Sequence, residues 1–160
     1  MALLNILEDG DPTLRKHCRP VTEITPRIIR LLDDMKETLI NANGAGLAAP
    51  QVGILRRIVV CDTEDGMIEL INPEIIATEG NQQELEGCLS VPGVWGITDR
   101  PAKVTVKALD RFGNEFTATG VELDARCFCH ELDHLDGILF TDNAVHILTP
   151  DEVKELGKDD

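Results

Sequence analysis

Positive charge is scarce here: 15 Lys and Arg stand against 29 Asp and Glu, a net charge of −14. Gripping a phosphate backbone takes clustered Lys and Arg. These are scattered along the chain, so direct nucleic-acid binding is not expected. No apolar run approaches the roughly 18 residues that a membrane-spanning helix needs, and no membrane contact is expected. The N-terminus has no apolar signal-like stretch, and Leu7-Glu8-Asp9-Gly10-Asp11 lacks the basic character of a transit segment. Five cysteines, Cys18, Cys61, Cys88, Cys127 and Cys129, make an odd number. That suits a reducing compartment better than a disulfide framework, and the expected location is the cytoplasm. Tyrosine is absent and Trp95 is the only tryptophan. No internal repeat, low-complexity tract or domain boundary interrupts the 160 residues, a length that suits one domain with its own core.

What the chain does have is His130-Glu131-Leu132-Asp133-His134. Two imidazoles four positions apart lie one turn above each other on a helix and can grip one metal ion, with Glu131 beside it as a base. With 4 His and 14 Glu in 160 residues, such a string arises by chance about once in a hundred chains of this composition. Leu123, Cys127, His130 and His134 recur at helical spacing and predict one inward stripe, with Gly137 ending the helix.

Elsewhere, residues 1–24 read as an irregular arm broken at Asp11-Pro12 and Arg19-Pro20. Thr25-Pro26 then caps a helix lined by Ile28, Leu32, Met35 and Leu39, expected to run to about Asn43 and stop at Gly44. Residues 44–53 are rich in small side chains and read as a tight loop ending near Gln51. Short strands are predicted at residues 57–61, 67–71 and 74–77, the last two separated by Asn72-Pro73, and a hairpin at 104–109 and 115–119. Thr149-Pro150-Asp151-Glu152 is a capping box that starts a short helix stopping near Gly157, followed by an acidic tail.

A catalytic metal site needs a third protein ligand and an open position. His17 and His146 are isolated, and read as surface histidines. Cys88, in Glu86-Gly87-Cys88-Leu89-Ser90, stands out because Gly87 permits a bend that presents the thiolate and the following backbone N–H together. Cys127 reads as core or as a neighbour of the site. Cys129 is conceivable as a further ligand, but its side chain points about 100° away from that of His130 on a helix. Cys18 and Cys61 have no context.

Together, Gly44-Ala45-Gly46-Leu47-Ala48-Ala49-Pro50-Gln51, Glu86-Gly87-Cys88-Leu89-Ser90 and His130-Glu131-Leu132-Asp133-His134 closely resemble, in order and spacing, the three motifs of the peptide deformylases. That family comprises metallohydrolases that remove the formyl group from the N-terminal methionine of new bacterial polypeptides. The resemblance extends over nearly the whole chain, including Asp11-Pro12-Thr13-Leu14-Arg15 and Arg100-Pro101. It implies an α+β fold, antiparallel strands around a central metal-binding helix, with residues 1–160 as one catalytic domain. It also implies Cys88, His130 and His134 as metal ligands, Glu131 as general acid/base, and Gln51 with the Leu89 backbone N–H as oxyanion donors. Gly46, Gly87, Glu86, Trp95 and Cys127 are expected along the substrate groove, and Glu86 can pair with Arg100 beside it. Ala45 and Trp95 depart from the usual residues of the family.

The implied cofactor is Fe²⁺, with Zn²⁺, Ni²⁺ or Co²⁺ as substitutes, since two imidazoles and a thiolate suit all four. The implied partners are nascent formyl-methionyl polypeptides, with a contact to the ribosome, and the protein is expected to be a monomer. Two alternatives stay open. A general metallopeptidase is equally permitted by His-Glu-x-x-His alone, though Gln51 and the cysteine motif speak against it. A structural metal module would have four protein ligands and no open position.

Overall fold

The computed structural model describes residues 2–158. A helix α1 (Pro26–Ala42) leads into β1 (Gly46–Ala48), β2 (Ile58–Thr63) and β3 (Gly66–Glu79). Then come β4 (Gln82–Cys88), β5 (Val91–Arg100), β6 (Lys103–Leu109) and β7 (Glu115–Val121). The helix α2 (Leu123–His134) follows, then the one-turn α3 (Phe140–Asn143), β8 (Ala144–Ile147) and α4 (Pro150–Lys158). Five strands form one sheet in the order β1-β2-β3-β6-β7 and three form another in the order β4-β5-β8, every pair antiparallel. The fold class is α+β, as expected.

The five-stranded sheet is covered on both faces where β1, β2 and β3 run, which explains the unbroken apolar run Ile58-Val59-Val60-Cys61. Side chains alternate across a strand. Ile58 and Val60 join Leu32, Met35 and Leu39 of α1, while Val59 and Cys61 join Phe128, Cys129 and Leu132 of α2. Leu47 and Ile71 fall on the α1 side, Ala48 and Leu70 on the α2 side. The helix α2 is buried almost all round, as befits a helix between layers. The predicted inward stripe fails at its first member: Leu123 is 54% exposed, because α2 begins at the rim of the sheet.

Several local expectations meet a physical correction. The Thr25 hydroxyl caps α1, but the helix ends on Asn43 in the left-handed conformation (φ 55°) rather than on Gly44. Residues 66–79 form one strand, not two. Asn72 takes φ 52° and its amide bonds both backbone groups of Val21 (2.8 and 2.9 Å), so Asn72-Pro73 makes a bulge instead of a break. The 44–53 segment contains β1 and a 3-10 turn (Ala49–Val52), and residues 12–15 form another within the irregular arm. The capping box forms reciprocally: Thr149 N donates to Glu152 Oε1 (2.9 Å) and Glu152 N to Thr149 Oγ1 (3.2 Å). The last two residues of the expected acidic tail, 159 and 160, lie outside the described residues. No helix among the described residues is long and apolar enough to cross a membrane.

Gly137 follows α2 at φ 76°, and a Cβ there would stand 2.5 Å from the Arg15 carbonyl oxygen. Both the conformation and the contact exclude a side chain. Gly137→Ala is expected to lower unfolding free energy by about 2 kcal/mol or more in urea titration; a change under about 0.5 kcal/mol would contradict that packing.

Candidate metal centre and active site

The end of β4 brings Cys88 against α2, where His130 and His134 lie one turn apart. One donor atom from each of the three falls within 4.8 Å of the others. Cys88 Sγ is 3.3 Å from His134 Nε2 and accepts from Ser90 N–H at 3.4 Å. The His130 ring stacks on Phe140 with centroids 6.0 Å apart, and its Nδ1 meets Glu86 Oε2 at 2.7 Å, which leaves Nε2 for the shared point. His134 is held differently: its buried Nδ1 has no hydrogen-bond partner among the described residues.

Glu86 lines the cavity, as expected of a groove residue, but its carboxylate turns inward and is fully occupied. It accepts from Thr98 Oγ1 (2.9 Å), from Arg100 Nε (3.3 Å) and Nη2 (2.8 Å), and pairs with His130. Arg100 Nη1 reaches on to Asp133 Oδ2 at 2.7 Å. Burial alone would raise the Glu86 carboxyl, but the hydrogen bonds and charges of His130 and Arg100 outweigh it and hold the group at about 2. Sequence reading suggested the Glu86–Arg100 pair; it did not find Thr98, Asp133, Ser90 or Phe140, whose roles depend on partners brought in by other strands and helices.

Glu131, next to His130 on α2, is buried against the β1 backbone. A Cβ on Gly46 would come within 2.8 Å of its Cγ and Oε2, and its Oε1 has no partner among the described residues. Burial, the largest cause, pushes the Glu131 carboxyl up to about 7. Burial also disfavours charge on both imidazoles. It prevails at His134, which is pushed well below its ordinary value. At His130 it is outweighed by Glu131, Cys88 and Glu86, and the ring is pushed well above it. The cysteine sulfur and two imidazole donors of this cluster, with the buried Glu131 Oε1 left unpartnered among the described residues, suit a divalent transition metal held by the three.

Gln51 is buried on the 3-10 turn after β1. Its Oε1 accepts from Ala48 N (2.9 Å), so its Nε2 must face the cleft, where it donates to Ser90 Oγ (3.0 Å) and lies 3.7 Å from Cys88 Sγ. Leu89 follows Cys88 in the tight turn between β4 and β5. A cavity of about 430 Å³ opens at this point, lined among others by Leu89, Val91, Trp95, Leu123, Cys127 and Glu131. Trp95, 38% exposed, lies flat over Gly87, where a Cβ would meet its ring at 2.5 Å. Cys127 sits in the wall with Sγ 3.4 Å from both Ala45 O and Cys61 Sγ. Its hydrogen bond with Cys61 and its burial push the thiol well above the ordinary range, so it serves as a small neutral wall. Cys129 belongs to the core under α2, not to the donor cluster. His17 is exposed near Asp136 and His146 pairs with Glu152, both outside the cluster.

Residues 3–149 match the family model described as polypeptide deformylase. A peptide deformylase of Acetivibrio thermocellus is 56% identical over 154 residues, covering 96% of this chain and 91% of the relative. The crystal structure of a peptide deformylase from Legionella pneumophila superposes with a TM-score of 0.86 at 40% identity, covering 98% of this chain and 96% of that one. That of Thermotoga maritima gives 0.87 at 36% identity, covering 90% and 99%.

Removing Arg100 leaves the buried Glu86 and the half-buried Asp133 without their cation. Arg100→Ala is expected to cost about 3–5 kcal/mol of stability in denaturant titration. Glu86→Gln, which keeps the shape but weakens the hold on His130, is expected to lower affinity for Zn²⁺ or Ni²⁺ about 10- to 100-fold. Unchanged metal affinity in Glu86→Gln would show that His130 is positioned by packing alone.

Proposed function

The chain belongs to the polypeptide deformylase family, and from that premise we propose which of its residues do the work. The protein is a metal-dependent hydrolase that removes the N-formyl group from the N-terminal methionine of newly made polypeptides, releasing formate. In the proposed assignment Cys88, His130 and His134 hold the metal. When bound there, a divalent cation supplies Lewis acidity and makes a coordinated water acidic near neutral pH. Fe²⁺ is the proposed resident ion, and Zn²⁺, Ni²⁺ and Co²⁺ are substitutes that the same donors accept.

Glu131 takes the proton of the attacking water, holds it, and returns it to the departing amine as the carbon–nitrogen bond breaks. The observation that carries this role is its buried Oε1, without a partner among the described residues, on a side chain that lines the same cavity as Cys88 and His130. Gln51 Nε2 and the Leu89 N–H donate to the formyl oxygen as negative charge develops on it, each worth about 3 kcal/mol in the transition state. The amide of Gln51 is suited to this because Ala48 N–H fixes its other end. The apolar walls at Leu89, Trp95 and Cys127 would take the methionine side chain, whose flexible thioether fills an irregular cavity well.

The rest of the proposal is a single catalytic domain acting as a monomer, since the donors and the cavity all come from one chain. Five free cysteines support a cytoplasmic location, and nascent chains at the ribosome are the proposed place of action.

Formate release from a formyl-methionyl peptide tests these roles, with bound metal measured in parallel. Glu131→Gln is expected to keep its metal and lose nearly all turnover, because an amide cannot cycle the proton. Cys88→Ala is expected to lose affinity for the ion itself. Substantial turnover per bound ion in Glu131→Gln would overturn the assignment.

A further inference from the structure

Arginines that the sequence scatters meet in space. Arg19, Arg27, Arg30 and Arg56 line one open groove of about 800 Å³ that shares no lining residue with the metal-centre cavity. Arg19 and Arg56 face each other across a parallel backbone bridge. Arg27 and Arg30 stand three apart on the first turns of α1, hence on one face of it. Arg15, Arg57, Arg100 and Arg111 each pair with a carboxylate, whereas the four groove arginines have no ion pair among the described residues. Two carboxylates also line the groove, Glu23 and Asp34, and Asp34 already accepts from Ala2 N at 2.9 Å. The N-terminus of α1 opens at the same place and adds its own partial positive charge.

This is an excess of positive charge on a chain of net charge −14. At physiological salt the Debye length is about 8 Å, so acidic residues on distant faces are screened and the local sign decides what approaches. Arg19, Arg27 and Arg30 are exposed and hydrated, unlike the enclosed apolar walls of a small-molecule site. No aromatic side chain lines the groove, so bases have nothing to stack on and the phosphates are what it can read. A duplex offers a dense row of phosphates and hides its bases, which matches a cluster of unpaired guanidiniums without a stacking platform.

We propose that this groove docks the sugar-phosphate backbone of double-stranded RNA, independently of sequence. The low proportion of basic residues argued against nucleic-acid binding; their placement reverses that expectation for this one face. An enzyme acting on newly made polypeptides meets such RNA where those chains are made.

The test is fluorescence anisotropy of a labelled RNA duplex of about 20 base pairs with the metal-loaded full chain, between about 20 and 200 mM KCl. Four guanidiniums neutralising four phosphates predict a slope of roughly −3.6 in log affinity against log salt. The double variant Arg27→Gln/Arg30→Gln is expected to bind more weakly and to flatten that slope by about two. It should keep its melting temperature and formate release, because both side chains are exposed and lie outside the site. Lys103→Gln/Lys107→Gln removes the same charge from β6 and is expected to change neither affinity nor slope. The proposal is overturned by no binding at the lowest salt, by equal losses in the two double variants, or by single-stranded RNA of the same length binding as tightly as the duplex.

Discussion

The site depends on one buried guanidinium. Arg100, at the end of β5, reaches Glu86 on β4 and Asp133 on α2 at once, and so ties the three-stranded sheet to the helix that packs on the five-stranded one. The prospective ligands are divided across that same seam, Cys88 on β4 and the two histidines on α2. Burying Arg100 and Glu86, with Asp133 half-buried beside them, costs solvation that their attraction does not reliably recover, so the network is better understood as fixing geometry than as adding stability. Its product is a His130 ring with Nδ1 engaged and Nε2 turned to the shared point.

The same device recurs on a smaller scale at each working group. Gln51 has its oxygen bound by the Ala48 N–H and its nitrogen turned to the cleft, where Ser90 Oγ accepts from it. Cys88 Sγ accepts from Ser90 N–H in the turn that also presents Leu89. Glu131 is pressed against Gly46, where any side chain would push it away. Each group is held by its surroundings so that its working atom faces the site, and this orientation in advance is what makes donors and bases effective in a transition state.

Features written in local periodicity were legible: α1 with its Thr25 cap, α2, the β6–β7 hairpin and the capping box at Thr149. The His-Glu-x-x-His spacing gave two donors, and the likeness of three strings to a known family supplied Cys88, Gln51 and Leu89. The three-stranded sheet was not legible. β4 is polar with little alternation, because most of it lies at the surface. β1 escaped notice because Gly46, Leu47 and Ala48 are chosen for close packing rather than for strand propensity. Asn72-Pro73 has the composition of a turn, and only its bonds to Val21 make it a bulge. The hold of Glu86 on His130 was not legible because the two lie 44 residues apart. The arginine groove joins residues from three segments and leaves no trace in composition.

The central claim is that Cys88, His130 and His134 form the complete protein ligand set and leave a position open. X-ray absorption spectroscopy of the metal-loaded protein tests it most directly. One sulfur and two imidazole nitrogens, with any remaining ligand a light atom exchangeable with solvent, is the predicted result; a second sulfur from Cys129, or a fourth protein ligand that solvent cannot replace, would contradict it.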